Sequence, residues 1–146
     1  MALDDVFGSG RPGVVRWSLA YESRWEVGMS PEKQSITRAS ATGVDKPWGF
    51  EVRWAVTDRY LGKLLHICEG HVLPRKYHEH RDESILLMGG LLDLDLGEVT
   101  YRLSTGDCIR IMPGTPHRMK AIEDCDIVQV SSPELYDEVH LDEPPS

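Results

Sequence analysis

From Lys46 onward, apolar side chains recur at alternate positions in short runs, and each run is cut by turn residues. A period of two marks a β-strand with one buried face. The runs predict strands at 51–56, 62–68, 75–80, 84–88, 91–96, 99–103, 108–111, 117–122 and 127–131. Turns fall at Glu69-Gly70, Gly89-Gly90, Gly97, Ser104-Thr105-Gly106-Asp107 and Pro113-Gly114. Strands this short, at this spacing, predict an all-β sandwich or barrel. Leu91-Leu92-Asp93-Leu94-Asp95-Leu96 alternates cleanly, so one of its faces is expected in water. No long helical period appears, although residues 132–136 can make one short turn.

Residues 1–45 read differently. Gly8-Ser9-Gly10-Arg11-Pro12-Gly13 is a flexible opening, and 30–43 is polar and loop-like. Between them 14–19 predicts a strand, with Trp17 and Trp25 free to pack on a neighbour. We read 1–45 as an N-terminal arm on a domain that runs from 46 to 146. Such an arm covers a sheet edge or crosses to a second copy, because an open edge invites aggregation. A homodimer, formed through the arm or a sheet face, is the expected assembly.

The length of 146 residues and mass of 16.5 kDa suit one domain with a conventional core. A formal net charge of -8 opposes binding to a nucleic-acid backbone or an anionic membrane. The expected partner is therefore a small molecule, and an anionic one would need a local cationic pocket. No apolar stretch is long enough to span a bilayer, and Met1-Ala2-Leu3-Asp4-Asp5 begins acidic, unlike a secretion signal, so a cytoplasmic location is expected. Cys68, Cys108 and Cys125 are odd in number and lie in separate apolar runs, which predicts buried thiols in preference to disulfides or zinc ligands.

The chemistry concentrates in His78-Glu79-His80-Arg81-Asp82-Glu83 and in Pro113-Gly114-Thr115-Pro116-His117. Strand residues two apart point the same way, so His78 and His80 can face one centre that Glu83 and His117 also reach. Three nitrogens and one oxygen without thiolate suit one divalent ion: Fe(II), Zn(II), Mn(II), Ni(II) or Co(II). Four protein ligands leave coordination positions for water or substrate, as a catalytic metal requires.

Parity carries the reading further. Lys76 should point inward with His78 and His80, where it can hold a substrate carboxylate or phosphate, give up a proton, or snorkel out to solvent. Met119 should be inward with His117, and Ile109 and Ile111 should help form a mostly apolar wall. His66 shares parity with Leu64 and Cys68, which predicts a hydrogen-bonded core or wall histidine in preference to a fifth ligand. His71 lies in a turn, and His140 has no evident partner. The acidic run Glu134, Asp137, Glu138, Asp142 and Glu143 predicts a solvated face.

The stretch from Gly70 through His78, His80 and Glu83 to Gly90 resembles the first motif of the cupin superfamily, and Gly106 through Gly114 to His117 resembles the second. The resemblance implies a cupin double-stranded β-helix, a jelly-roll barrel, with His78, His80, Glu83 and His117 on one metal inside it. From Lys46 to near Glu143 the chain is similar to the cupin-type mannose-6-phosphate isomerase domain. The likeness rests on Lys46-Pro47-Trp48-Gly49 as an opening signature, His80-Arg81-Asp82-Glu83, Gly114-Thr115-Pro116-His117-Arg118, and an acidic exit strand over 132–141. Lys76 stands where that family usually has glutamine, and Met112 where it has proline.

Three functions follow. The first is a metal-dependent, dioxygenase-type oxidoreductase acting on a small oxygen-rich substrate, with substrate and dioxygen at the open positions. The second, which the close resemblance implies, is a sugar-phosphate isomerase using the metal as a Lewis acid. The third is a barrel that binds metal and ligand without turnover.

Overall fold

The structure is a computed structural model that describes residues 40–142. The strand expected at 14–19, Trp17, Trp25 and most of the arm lie outside the described residues.

Eleven strands form: β1 (Thr42–Lys46), β2 (Gly49–Val56), β3 (Leu61–Ile67), β4 (Lys76–His78), β5 (Glu83–Gly89), β6 (Leu91–Leu96), β7 (Val99–Ser104), β8 (Cys108–Ile111), β9 (His117–Ala121), β10 (Cys125–Ser131) and β11 (Glu138–His140). They make two sheets, one in the order β1-β2-β3-β10-β5-β8 and the other β11-β4-β9-β6-β7. Every pairing within them is antiparallel. No helix occurs among the described residues, so none there is long and apolar enough to cross a membrane.

The nine strands expected from alternation are β2 to β10, most with ends shifted slightly. The largest difference is at β4, which stops at His78 before the chain bends at Glu79 and His80. β1 and β11 show no clear apolar alternation. β1 is a strand because its backbone pairs with β2, and β11 because it folds back on β4. β11 falls within the acidic exit strand implied at 132–141, whereas the short helical turn allowed at 132–136 is replaced by a bend and a turn.

One core joins the sheets. Leu65, Ile67, Ile85, Leu87 and Ile127 from the first meet Leu92, Leu94, Leu103 and Met119 from the second. Each buried aliphatic side chain contributes roughly 1.5–3 kcal/mol. In β6 the alternation is realised in full: Leu92 and Leu94 are wholly buried, and Asp93 and Asp95 turn outward to pair with Arg102 and Arg118. This is an all-β jelly-roll arrangement, as the sequence led us to expect.

The cysteine expectation needs correction. Cys125 is buried, Cys68 is half-buried, and Cys108 is exposed. Cys108 shares the outward parity of Arg110 on β8, which ends its sheet, so its face has no covering layer. At the β5–β6 corner, where the chain crosses from one sheet to the other, Gly90 has φ +88°, and a Cβ there would lie 2.1 Å from the Asp124 carbonyl oxygen. The backbone approach at this corner admits only glycine.

Candidate metal centre

Three strand ends converge. His78 closes β4, Glu83 opens β5 and His117 opens β9, and all three side chains are buried. β4 and β9 are neighbours through the pair Lys76 and His117, while β5 comes from the opposite sheet. The β8–β9 turn is docked onto β4 by the Gly114 N–H, which donates to the His78 carbonyl at 2.7 Å. Gly114 adopts φ +75° to do so, which explains a glycine at this point in the second motif.

Glu83 stands between the imidazoles. Its Oε2 is 3.6 Å from His78 Nε2, and its Oε1 is 3.4 Å from His117 Nε2. One ligand atom from each of the three residues lies within 4.8 Å of the others. The ring centroids are 5.5 Å apart.

The hydrogen bonds fix which nitrogen is available. His117 Nδ1 is 2.9 Å from the Thr115 carbonyl, and His78 Nδ1 is 3.0 Å from Asp137 Oδ1. Those oxygens can only accept, so each Nδ1 carries the proton and each Nε2 presents a lone pair. His117 Nε2 is buried with no hydrogen-bond partner. Burial pulls both imidazoles below their ordinary pKa despite the pull of Glu83 in the other direction, which keeps them neutral. Neutral imidazoles oriented through Nδ1 and facing a carboxylate have the form of a metal-ligand set with its outer support, and a cation would satisfy the orphaned lone pair. The residues present fit a divalent ion.

Of the four ligands expected, the structure brings His78, Glu83 and His117 together and leaves His80 outside the group. His80 is exposed, because β4 ends before it and alternation no longer governs its direction. Its backbone N–H donates to Asp137 Oδ2 at 2.9 Å. Arg81 takes the interior place. Its guanidinium is 1% exposed, with Nη1 3.5 Å from His78 Nε2 and 3.8 Å from Glu83 Oε2. The Glu134 and Leu135 carbonyls accept from Nε and Nη2 and hold the fork in place.

Lys76 lines a cavity of about 30 Å³ with Leu65, Glu83, His117, Met119 and Gln129. That is room for an ion and a water. Its Nζ lies 2.5 Å from Glu138 Oε1. Burial raises the Glu138 pKa, but Lys76 outweighs it and holds the carboxyl below its ordinary range. Gln129 donates its amide to Glu83 Oε2.

Two expectations are therefore corrected. The acidic run is only partly a solvated face, since Asp137 supports His78 and Glu138 pairs with Lys76 once β11 packs on β4. The interior is also more polar than expected, for Glu51, Lys63, Arg81 and Gln129 are buried in it. A signal for two of them was present: Lys63 shares parity with Leu61, Leu65 and Ile67, and Gln129 with Cys125 and Ile127. One polar residue on an apolar face is the mark of a pocket.

A second group, His66, Cys68 and Asp124, also lies close together but nearer the surface. His66 sits on the outward parity of β3, stacks on Phe50 and pairs through Nδ1 with Asp126 at 2.7 Å. It is hydrogen-bonded, as expected, but on the outer face and not in the core or pocket wall that its parity with Leu64 and Cys68 led us to expect.

Residues 63–131 match the family described as the Cupin domain. No curated protein matches the chain in sequence. Among solved structures, KdgF from Halomonas sp. is 24% identical with a TM-score of 0.61, over 66% of this chain and 89% of that one. An RmlC-like cupin from Shewanella frigidimarina is 12% identical with a TM-score of 0.61, over 72% and 95%. Streptomyces Pac13, described as a unique nucleoside dehydratase, is 13% identical with a TM-score of 0.64, over 73% and 92%. At these identities the likeness is one of fold. Together the family match and the fold support the cupin superfamily, without reaching the mannose-6-phosphate isomerase resemblance.

Proposed function

We propose that this cupin-fold chain is a metal-dependent enzyme that moves a proton on a small, anionic, oxygen-rich substrate. The reading is carried by one observation: the orphaned Nε2 of His117 converges with His78 and Glu83 beside the paired Lys76 and Glu138. A bound divalent ion would supply Lewis-acid polarisation of a substrate oxygen. His78, Glu83 and His117 are the residues that hold it. Glu138, kept ionised beside Lys76, is placed to accept a proton at a carboxylate oxygen, and Lys76 Nζ is placed to return one. Arg81 supplies a fixed positive charge that the Glu134 and Leu135 carbonyls keep from swinging out to solvent. Aldose-ketose isomerisation of a sugar phosphate fits this set of groups.

A second reading is an Fe(II)-dependent dioxygenase. It is favoured by the ligand count, since two histidines and one carboxylate with open positions are the usual set of non-haem oxygenases. Screening the metal-loaded protein against phosphosugars under argon and in air separates the two. Turnover under argon supports proton transfer, and turnover that requires oxygen overturns it in favour of the oxygenase. A protein that binds metal and turns over neither class would be left as the non-catalytic binder.

The same reading includes a homodimer. Phe50, Trp54, Met88 and Val130 stand exposed on the outer side of the larger sheet, an apolar face suited to a second copy of itself.

A further inference from the structure

Lys63 is the most unusual side chain outside the metal group. It occupies an inward position of β3 between Gly62 and Leu64, and only 7% of it is exposed. Its nearest carboxylate oxygen, Glu51 Oε2, is 3.7 Å away, beyond hydrogen-bond reach. Among the described residues its ammonium donates no hydrogen bond. A buried ammonium pays for its desolvation only when acceptors surround it, so a site with room for an acceptor needs explaining.

That room exists. Lys46, Glu51, Arg53, Lys63, Leu135, Tyr136 and Glu138 line a cavity of about 230 Å³, much larger than the space beside His117. Its charges are not balanced locally. Glu51 is engaged by Arg53, through Nε at 2.8 Å and Nη2 at 2.7 Å, and Glu138 is engaged by Lys76. Lys63 faces Glu51 at 3.7 Å without hydrogen-bonding it, so its ammonium and that of Lys46 keep their donors for a ligand. This is the local cationic pocket that an anionic substrate requires in a chain of net charge -8.

Its place relative to the metal group is also defined. Glu138 lines this cavity while pairing with Lys76, which lines the other. Lys63 lies opposite Gln129 in the register of β3 and β10, and Gln129 donates to Glu83. The space beside His117 is too small for a whole substrate, so the body of the molecule must sit elsewhere.

We propose that this cavity holds the anionic group of the substrate, a carboxylate or a phosphoryl group, on Lys63 and Lys46, with the reacting end directed past Glu138 to His78, Glu83 and His117. The proposal rests on the function proposed above for its substrate, but the anion site itself can be tested without metal. Isothermal titration calorimetry on chelator-treated protein, using inorganic phosphate and malonate separately, is the experiment. At least one anion is expected to bind saturably at one site. Lys63→Met should weaken it by about tenfold or more, as expected for a lost charge-assisted hydrogen bond. Lys46→Gln should weaken it severalfold, and it keeps the test alive if Lys63→Met does not fold. His117→Ala should leave anion binding in place.

Preference for phosphate would identify a phosphoryl substrate, and preference for malonate a carboxylate. Absence of saturable binding by both anions, or unchanged affinity in both lysine variants, overturns the proposal. Metal affinity measured on the same proteins keeps the two readings apart. Anion binding without metal binding would sink the metalloenzyme and leave the pocket standing, and metal binding without anion binding would do the reverse.

Discussion

His78 Nδ1 lies 3.0 Å from Oδ1 of Asp137, a residue 59 positions further along the chain. The other oxygen of the same carboxylate accepts the backbone N–H groups of His80 and Arg81, at 2.9 and 2.8 Å. Asp137 thus ties down the bend after β4 and turns the ring so that Nε2 faces Glu83. Asp137→Ala is expected to weaken divalent-metal binding by about 10–100-fold, the usual cost of losing the outer partner of a ligating histidine. Competition against a chelating dye measures it, and unchanged affinity would mean that the ring is oriented without this bond.

Because β4 ends at His78, the histidines of the first motif separate in role. His78→Ala and His117→Ala should lose the metal seen by elemental analysis of protein purified without chelator or histidine tag, whereas His80→Ala should keep it. Metal at a hundredfold excess over Kd should add about 2.7 kcal/mol of stability, and His117→Ala should abolish that increment. Loss of metal in His80→Ala would restore the four-ligand set expected from sequence.

Gly90 tests the corner between the sheets. Gly90→Ala would place a Cβ 2.1 Å from the Asp124 carbonyl oxygen at φ +88°. A loss of about 2 kcal/mol or more is expected, read as a fall in Tm of roughly 10 °C. At Gly97, φ is +58° with nothing within 4 Å of the added carbon, so Gly97→Ala should cost only about 1 kcal/mol. Equal melting temperatures for the two variants would refute the close approach.

The buried Glu51 gives a pH dependence. Burial pushes its carboxyl up, but Lys63, the Arg53 hydrogen bond and Lys46 together hold it below its ordinary value. The unfolded chain therefore takes up the proton first as pH falls. The stabilisation is fully present above the unfolded pKa, roughly 4.3, and disappears as pH drops through the lower folded value. Between those two values, Tm of the wild type should fall more steeply with falling pH than Tm of Glu51→Gln, and parallel curves would remove Glu51 from the account.

Trp54 stands half exposed on the outer sheet face, with its ring over Gly62. Light scattering coupled to size exclusion should give a dimer mass for the wild type, and Trp54→Lys should shift it toward monomer. A monomeric wild type would leave the apolar face to another partner.

The two metal motifs, the turn glycines and nine strands were legible because strand alternation and turn chemistry are local. β1 was not legible, since Thr42–Lys46 has no apolar face to reveal it and becomes a strand only by pairing with β2. The run from Glu134 to Glu138 looked like a solvated surface for a related reason. Its charges find Arg81, His78 and Lys76 only after β11 returns to β4.

By itself, then, the sequence determined the all-β architecture, the inward parity of His117 and Met119, and the grouping of His78, Glu83 and His117. Each follows from a repeat of two residues or from a short motif. Tertiary structure alone decided that His80 leaves the group, that Arg81 enters it, and that Lys63 is buried over an open cavity. A charged side chain can stay in the interior only where partners from distant strands offset its desolvation, and those partners exist only once the sheets have closed.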